Sequence, residues 1–374
     1  MKRCCRSAGV LLAAWAVLAL ADTGSAAAPV IRAERIVDRP LIRPDMLPGD
    51  EGASICGPSV IRVPDWVENP LGRYYLYFAH HDGDYIRLAY ADALEGPWTL
   101  HPGGVLRLEE QRALRGHIAS PEVVIDAATR QIYLFSHGLP ADGKGGQVTS
   151  AAVSRDGLTF DDLGGVVGPA YLRIFAHEGR WFALSGSGVL RVAERLGEPF
   201  KPVATIIGPE ITEAVDPASR GEPGAVPAHQ RPKSGEDRYG IRHVGTDLHE
   251  GKLYVYFSCV GHRPERILCT VVDLAGAPET WRARGVFEVL EPERPWEGAD
   301  LPLAYSRGGS VIKYGRDRAR ELRDPAVYRE GGDAWLFYSV AGEYGIGLAR
   351  LTVTEIKHPE TPPTAAAPLD AAEP

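Results

Sequence analysis

Two kinds of side chain in this sequence could act on a polar substrate: carboxyls close to arginine, and histidines in short polar loops. Asp324 follows Arg323 in Arg323-Asp324-Pro325, and a neighbouring guanidinium keeps a carboxyl ionised, as a base or nucleophile requires. Glu122 and Glu343 are further carboxyls, and Trp296-Glu297-Gly298-Ala299-Asp300 supplies two more. A pair of carboxyls, one giving a proton and the other activating water or attacking carbon, is the machinery of glycosidic bond cleavage. A histidine near neutral pKa, such as His243, could stand in for the acid.

These residues are dispersed over more than 200 positions, so a repeating scaffold must bring them together. Five segments share one phrase, in which an apolar run reaches a turn and an aromatic-rich core of about six residues follows. The cores are Arg73–Ala79, Gln131–Ser136, Arg180–Ser185, Lys252–Ser258 and Asp333–Ser339. Their length and their content of aromatic and β-branched residues are those of strands. A strand precedes each core, at Ser59–Val63, Glu122–Ile125, Ala170–Phe175, His243–Asp247 and Ala326–Tyr328, and a third follows. Anchors at Tyr75, Tyr133, Phe182, Tyr254 and Trp335 give spacings of 58, 49, 72 and 81. Five repeats of three or four antiparallel strands predict an all-β, five-bladed β-propeller in a single domain.

The last blade runs out of chain near Thr352, while Ile31–Val37 is strand-like and has no blade of its own. This N-terminal strand is expected to close the last blade as its outer strand, removing an exposed edge. The expected organisation is a signal peptide over 1–28, an N-terminal segment over 29–50, the propeller over 51–357 and a disordered Pro/Ala-rich tail over 358–374.

In a propeller the start of each inner strand and the loop after each second strand lie on one face near the axis. The inner starts hold Cys56-Gly57-Pro58, His117 to Glu122, Val167-Gly168-Pro169-Ala170-Tyr171, Arg242-His243 and Arg323-Asp324-Pro325. The loops hold His80-His81-Asp82, His137-Gly138, Gly186-Ser187-Gly188, His262 to Arg266 and Ala341-Gly342-Glu343. Six of the 11 histidines fall on this face together with Arg242, Arg263, Arg266 and Arg323. That bowl predicts an anionic or strongly polar ligand held by arginine forks. Asp324, Glu122, Glu297 and His243 are the candidate catalytic residues. Candidate binding residues are His80, His81, Arg87, His117, His137, Tyr171, Arg242, Arg263, Arg266, Trp296, Asp300, Arg323 and Glu343.

Composition narrows the classes. The chain of 374 residues has 44% hydrophobic and 24% charged residues, ordinary for a globular protein, and its net charge is −8. Removing Lys2, Arg3, Arg6 and Asp22 leaves a charge near −10, against nucleic acid or an anionic membrane as partner. Gly 42 and Pro 30 against Met 2 favour turns over long helices. The basic start, the apolar run Gly9–Ala21 and Ser25-Ala26-Ala27-Ala28 predict a cleaved secretory signal and a periplasmic or extracellular protein, free of the membrane after cleavage and monomeric. The odd set Cys56, Cys259 and Cys269 excludes a disulfide-dense scaffold; a Cys259–Cys269 bridge and buried free thiols both stay open. Nucleophile-elbow, phosphate-loop and zincin motifs do not occur. No cofactor is required; an axial Ca²⁺ near His117, His137 and His243 is the one metal considered.

The five repeats, with Arg323-Asp324-Pro325, Gly168-Pro169 before Ala170-Tyr171, and Arg242-His243, resemble the five-bladed propeller glycoside hydrolases, notably family 43 and its relatives in families 32 and 117. The resemblance covers residues 50 to 352 at the level of blade motifs. It implies that Asp324 is the base and His243 the axial histidine near a metal or water. The family's acidic Glu-Gly-Pro phrase reads Val167-Gly168-Pro169 here, its modulating Asp falls at Ser120 with Glu122 two residues on, and the first blade's phrase reads Gly57-Pro58. The resemblance thus implies a secreted enzyme cleaving a glycosidic bond. Two alternatives stay open: a propeller that binds sugar without cutting it, and a lyase in which Tyr171 or a histidine removes a proton beside a uronate.

Overall fold

Strand β1 (Pro29–Arg35), the first strand among the described residues, lies beside the last of them. The computed structural model describes residues 29–218, 220–227, 240–315 and 317–355; the expected signal peptide and tail lie outside the described residues. Blade one holds β2 (Cys56–Arg62), β3 (Tyr74–Ala79), β4 (Tyr85–Ala91) and β5 (Thr99–Leu100), with β6 (Leu106–Arg107) also on β4. Blade two holds β7 (Leu114–Asp126), β8 (Gln131–Pro140), β9 (Val148–Ser154) and β10 (Asp161–Pro169). Blade three holds β11 (Arg173–His177), β12 (Arg180–Leu184), β13 (Val189–Ala193) and β14 (Lys201–Thr205). Blade four holds β15 (Gly240–His249), β16 (Lys252–Val260), β17 (Ile267–Asp273) and β18 (Ala283–Leu290). Blade five holds β19 (Arg323–Glu330), β20 (Asp333–Ser339) and β21 (Ile346–Glu355), and β1 pairs with β21 as its outer strand. Closure by the N-terminal strand is therefore as the sequence predicts.

The inner strands β2, β7, β11, β15 and β19 pack in order round the axis and β19 returns to β2. Each blade is covered on both faces, so its second strand must be apolar on both sides, unlike a strand with one wet face. Tyr75 and Tyr77 of β3 face blade two, while Tyr74, Leu76 and Phe78 face blade five. Five apolar clusters result, one at each join between neighbouring blades. Truncating a fully buried ring such as Phe337 would cost about 3–5 kcal/mol.

The join that closes the ring has a polar lock. Glu297 is fully buried and accepts hydrogen bonds from Arg35 at 2.8 and 2.9 Å, Tyr338 Oη at 2.9 Å, and the backbone N–H groups of Glu293 and Arg294. Cys56, Cys259 and Cys269 are free and buried. Among the described residues no helix is long and apolar enough to cross a membrane.

Candidate active site at the propeller axis

Four inner strands carry the same irregularity at their axial start. Two residues oppose one across the pairing between Cys56 and Ser59, between Ala119 and Glu122, between Ile241 and Val244, and between Arg323 and Ala326. This is the signature of a β-bulge, which bends a strand and re-aims its side chains. Gly57-Pro58, Ser120-Pro121, Arg242-His243 and Asp324-Pro325 thus occupy equivalent places. Proline is tolerated because the bulged position gives up its ladder bond. Gly57, Ser120 and Asp324 have φ of +63°, +42° and +50°, and Tyr171, just before β11, has +63°. Left-handed backbone is costly for residues other than glycine and clusters at functional positions.

The third blade differs from the sequence reading. Val167-Gly168-Pro169 belongs to β10, the outer strand of blade two, where two register shifts let it pair with β9. Tyr171 takes the axial position instead. Consequently the family-43 proton-donor phrase has no counterpart at the axis here, and Asp324 is the one carboxylate among the bulge positions.

Asp324 is 2% exposed. Its Oδ2 accepts hydrogen bonds from Ser339 Oγ at 2.9 Å and Gly57 N at 3.3 Å, and its Oδ1 lies against His243 Nδ1. Burial pushes the carboxyl pKa up, but His243, then Arg242 and Arg323, overcome this and hold it well below the usual carboxylate range. Burial, with Arg173 and Arg242 acting in the same sense, lowers the His243 pKa against the upward pull of Asp324. A carboxylate anion thus lies against the Nδ1 edge of a neutral imidazole, which favours the tautomer protonated at Nδ1. That leaves Nε2 as the proton-accepting nitrogen.

Tyr171 lies between two imidazoles, with ring centroids 4.1 Å from His243 and 4.0 Å from His137. His117 stands edge-on to His137 at 5.7 Å. Burial lowers the pKa of both His137 and His117. One contiguous floor, Asp324–His243–Tyr171–His137–His117, thus spans blades five, four, three and two.

The arginines of the bowl are already matched. Arg242 forks onto Glu265 with two bonds of 2.8 Å and donates to Arg307 O at 2.6 Å. Arg323 donates to Glu321 at 2.8 Å and to Glu343 Oε1 and Gly309 O at 3.0 Å. Glu343 also takes Ser54 Oγ at 2.9 Å and faces His81 Nδ1 at 3.1 Å. Burial works to raise its pKa, but His81 and then Arg323 bring it down to about 2. Arg87 is buried and donates to Ser54 O at 2.9 Å. Arg266 meets Glu288 at 3.0 Å, and Arg263 reaches Pro223 O at 3.4 Å over the Tyr305 ring. Forks spent on protein carboxylates offer little to an anionic sugar, so the bowl is polar without a surplus of open guanidiniums.

Other predicted residues are placed elsewhere. Glu122 directly follows its bulge, paired with Arg173 at 2.6 Å in an axial cavity of about 230 Å³ lined by all five inner strands. Glu297 is in the Arg35 lock, Trp296 packs against the core between blades four and five, and Asp300 meets Arg318 at 3.4 Å. His80 Nδ1 accepts the Asp82 N–H at 3.1 Å. Arg173 and Ser339 were not singled out by the sequence, since neither sits in a phrase with chemical meaning.

An axial Ca²⁺ would need six to eight oxygen ligands. The bulge positions present one side-chain carboxylate among imidazoles, a poor match to that ion. One mixed donor set does converge: Cys56, His81 and Glu343 bring ligand atoms within 4.8 Å of one another.

No family model matches the chain. It is 32% identical over 320 residues to the uncharacterized protein R118 of Acanthamoeba polyphaga mimivirus, covering 81% of this chain and 85% of that protein. Among solved structures, CoXyl43, a β-xylosidase/α-arabinofuranosidase from a compost metagenome in complex with xylotriose, aligns over 88% of this chain and 96% of its own at TM-score 0.51 and 14% identity. The GH43_1 enzyme from Xanthomonas citri complexed with xylose aligns over 87% and 93% at 0.50 and 14%, and RS223-β-xylosidase over 83% and 94% at 0.50 and 14%. At such identity the likeness is one of fold.

Proposed function

This chain belongs to the family of the mimivirus protein R118, and we propose that it is a carbohydrate-active enzyme cleaving a glycosidic bond, with His243 and Asp324 as its proton-handling pair. The observation that carries the reading is the buried carboxylate of Asp324 against His243 Nδ1 at the axis. The same fold holds xylose and xylotriose in the solved neighbours, which supports a carbohydrate as partner.

Asp324 itself is fully engaged, so its part is to fix the tautomer of His243 and stabilise the imidazolium, the role of the acid in a catalytic triad. His243, neutral near pH 7, accepts through Nε2 the proton of the water that attacks the anomeric carbon; the bond from that carbon to the leaving oxygen breaks, the leaving oxygen takes a proton from solvent, and the imidazolium returns its own to solvent. Tyr171, tilted against the imidazole at 4.1 Å and itself backed by His137, confines the ring. Because the arginine forks are matched by Glu265, Glu321 and Glu343, the sugar bound in the bowl is polar and uncharged. We read the protein as exported, on the basic–apolar–small pattern of residues 1–28.

The test is product analysis on neutral oligosaccharides with the full chain and His243→Gln. New reducing ends that vanish in the variant support the reading. Sugar binding with no product in either protein would replace it by a binding propeller, and an ultraviolet-absorbing unsaturated product would replace it by a lyase.

A further inference from the structure

We propose that Cys56, His81 and Glu343 form a binding site for a thiophilic divalent cation, zinc foremost, at the join between blades five and one. The site does not depend on the reaction assigned above. It stands on three observations.

The first is the donor set. A thiol, an imidazole and a carboxylate from three separate segments meet within 4.8 Å, and these are the three side-chain types that zinc takes in proteins. Zinc–ligand lengths of about 2.0–2.3 Å require the atoms to draw together by about an ångström. His81 can supply that movement, since its side chain is 21% exposed while that of Glu343 is 3% exposed. Calcium, a hard ion seeking oxygen, is disfavoured by the thiol and the imidazole.

The second is the support behind the donors. Ile55 N donates to Glu343 O at 2.7 Å, fixing the backbone beside Cys56 to that of Glu343. Ser54 Oγ donates to Glu343 Oε2 at 2.9 Å and accepts the His81 backbone N–H at 3.1 Å. Arg323 donates to Glu343 Oε1 at 3.0 Å. Ligating carboxylates are held in this way by outer partners that orient them.

The third is charge. Glu265, Glu321 and Glu343 are buried and linked by ion pairs to Arg242 and Arg323, three carboxylates to two guanidiniums, with His81 against Glu343. Uncompensated buried charge is expensive, and a divalent cation at this join supplies the missing positive charge. On binding, the Cys56 thiol gives its proton to solvent and the thiolate becomes a ligand. Three protein donors leave a coordination position for water or a substrate oxygen.

The experiment uses the full chain, stripped with a chelator and titrated with Co²⁺. The expected result is one cobalt per chain, with a strong thiolate-to-cobalt charge-transfer absorption in the near ultraviolet that Zn²⁺ abolishes by displacement. Cys56→Ser loses that absorption with an unchanged circular dichroism spectrum, His81→Ala weakens cobalt binding at least tenfold, and Cys259→Ser retains both. No charge-transfer absorption in the unaltered chain, or an undiminished one in Cys56→Ser, overturns the proposal and leaves Cys56 as a packed thiol donating to Ala79 O. The readout is a spectrum, so a failed activity assay and a failed metal site are told apart.

Discussion

Asp324 Oδ1 lies against His243 Nδ1 across the join between blades four and five, and the other oxygen of Asp324 is held by Ser339 Oγ and Gly57 N. On the function proposed above, a carboxylate in this position works through the imidazole it orients. The site thereby departs from the paired carboxyls of most glycoside hydrolases, although the fold is theirs.

Asp324→Asn is expected to leave the fold and sugar affinity nearly intact while lowering kcat. An amide can donate to His243 Nδ1 and force the wrong tautomer, and acid–base catalysis of this kind contributes roughly 10²–10⁴-fold. Steady-state kinetics beside calorimetric sugar binding checks it; a fall in affinity with kcat unchanged would count against the assignment.

Gly57 sets the place of Asp324 through its N–H. A Cβ on Gly57 would lie 2.7 Å from Ser120 Cα, on a backbone at φ +63°. Gly57→Ala should therefore cost about 1–2 kcal/mol for the left-handed conformation and a further 1–3 kcal/mol or so for the overlap, read as a shift in denaturant midpoint. Activity should fall with it, because the N–H to Asp324 moves.

The architecture was legible because the apolar second strands recur five times, and the orphan strand before blade one had one sheet edge to cover. The axial placement of Asp324 and His243 was legible too, from Arg323-Asp324-Pro325 and Arg242-His243 at blade starts. What could not be read was which partner each charge takes. Arg323 and Arg242 look alike as open forks in sequence, yet Glu321, Glu265 and Glu343, from other loops, neutralise them. Val167-Gly168-Pro169 read as an inner-strand start since a glycine–proline step marks turns; the shifted pairing with β9 that makes it an outer strand leaves no trace in residue type. Glu297 read as catalytic because a buried lock and an active-site acid look alike until Arg35, 262 residues away, is placed beside it.

The Arg35–Glu297 lock makes a separate prediction. Their side chains are 9% and 0% exposed, and removing one partner of a buried pair leaves an uncompensated charge, costing about 3–5 kcal/mol. Arg35→Ala should lower the denaturation midpoint and speed amide exchange in β1. Per folded molecule, activity should be unchanged, and loss of kcat in the folded fraction would place Glu297 in the chemistry after all.

Stability should fall on acidification through His137. Its pKa in the folded state lies well below the ordinary value of 6.5 because of burial, with His243, His117 and His81 acting in the same sense and Asp324 opposing. Below pH 6.5 the unfolded chain binds a proton that the folded chain refuses. The contribution of a neutral His137 is thus complete above that pH and lost at about 1.4 kcal/mol per pH unit as pH falls. Urea unfolding of the unaltered chain and of His137→Gln between pH 7 and 5 should differ in slope by one proton; parallel slopes would contradict it.

The most direct test of the central claim is product analysis of neutral oligosaccharides cut by the unaltered chain, His243→Gln and Asp324→Asn, side by side. The account predicts new reducing ends from the unaltered protein, and at least hundredfold less from each variant with sugar still bound. Undiminished cleavage by both variants, or binding without cleavage by the unaltered chain, would contradict it.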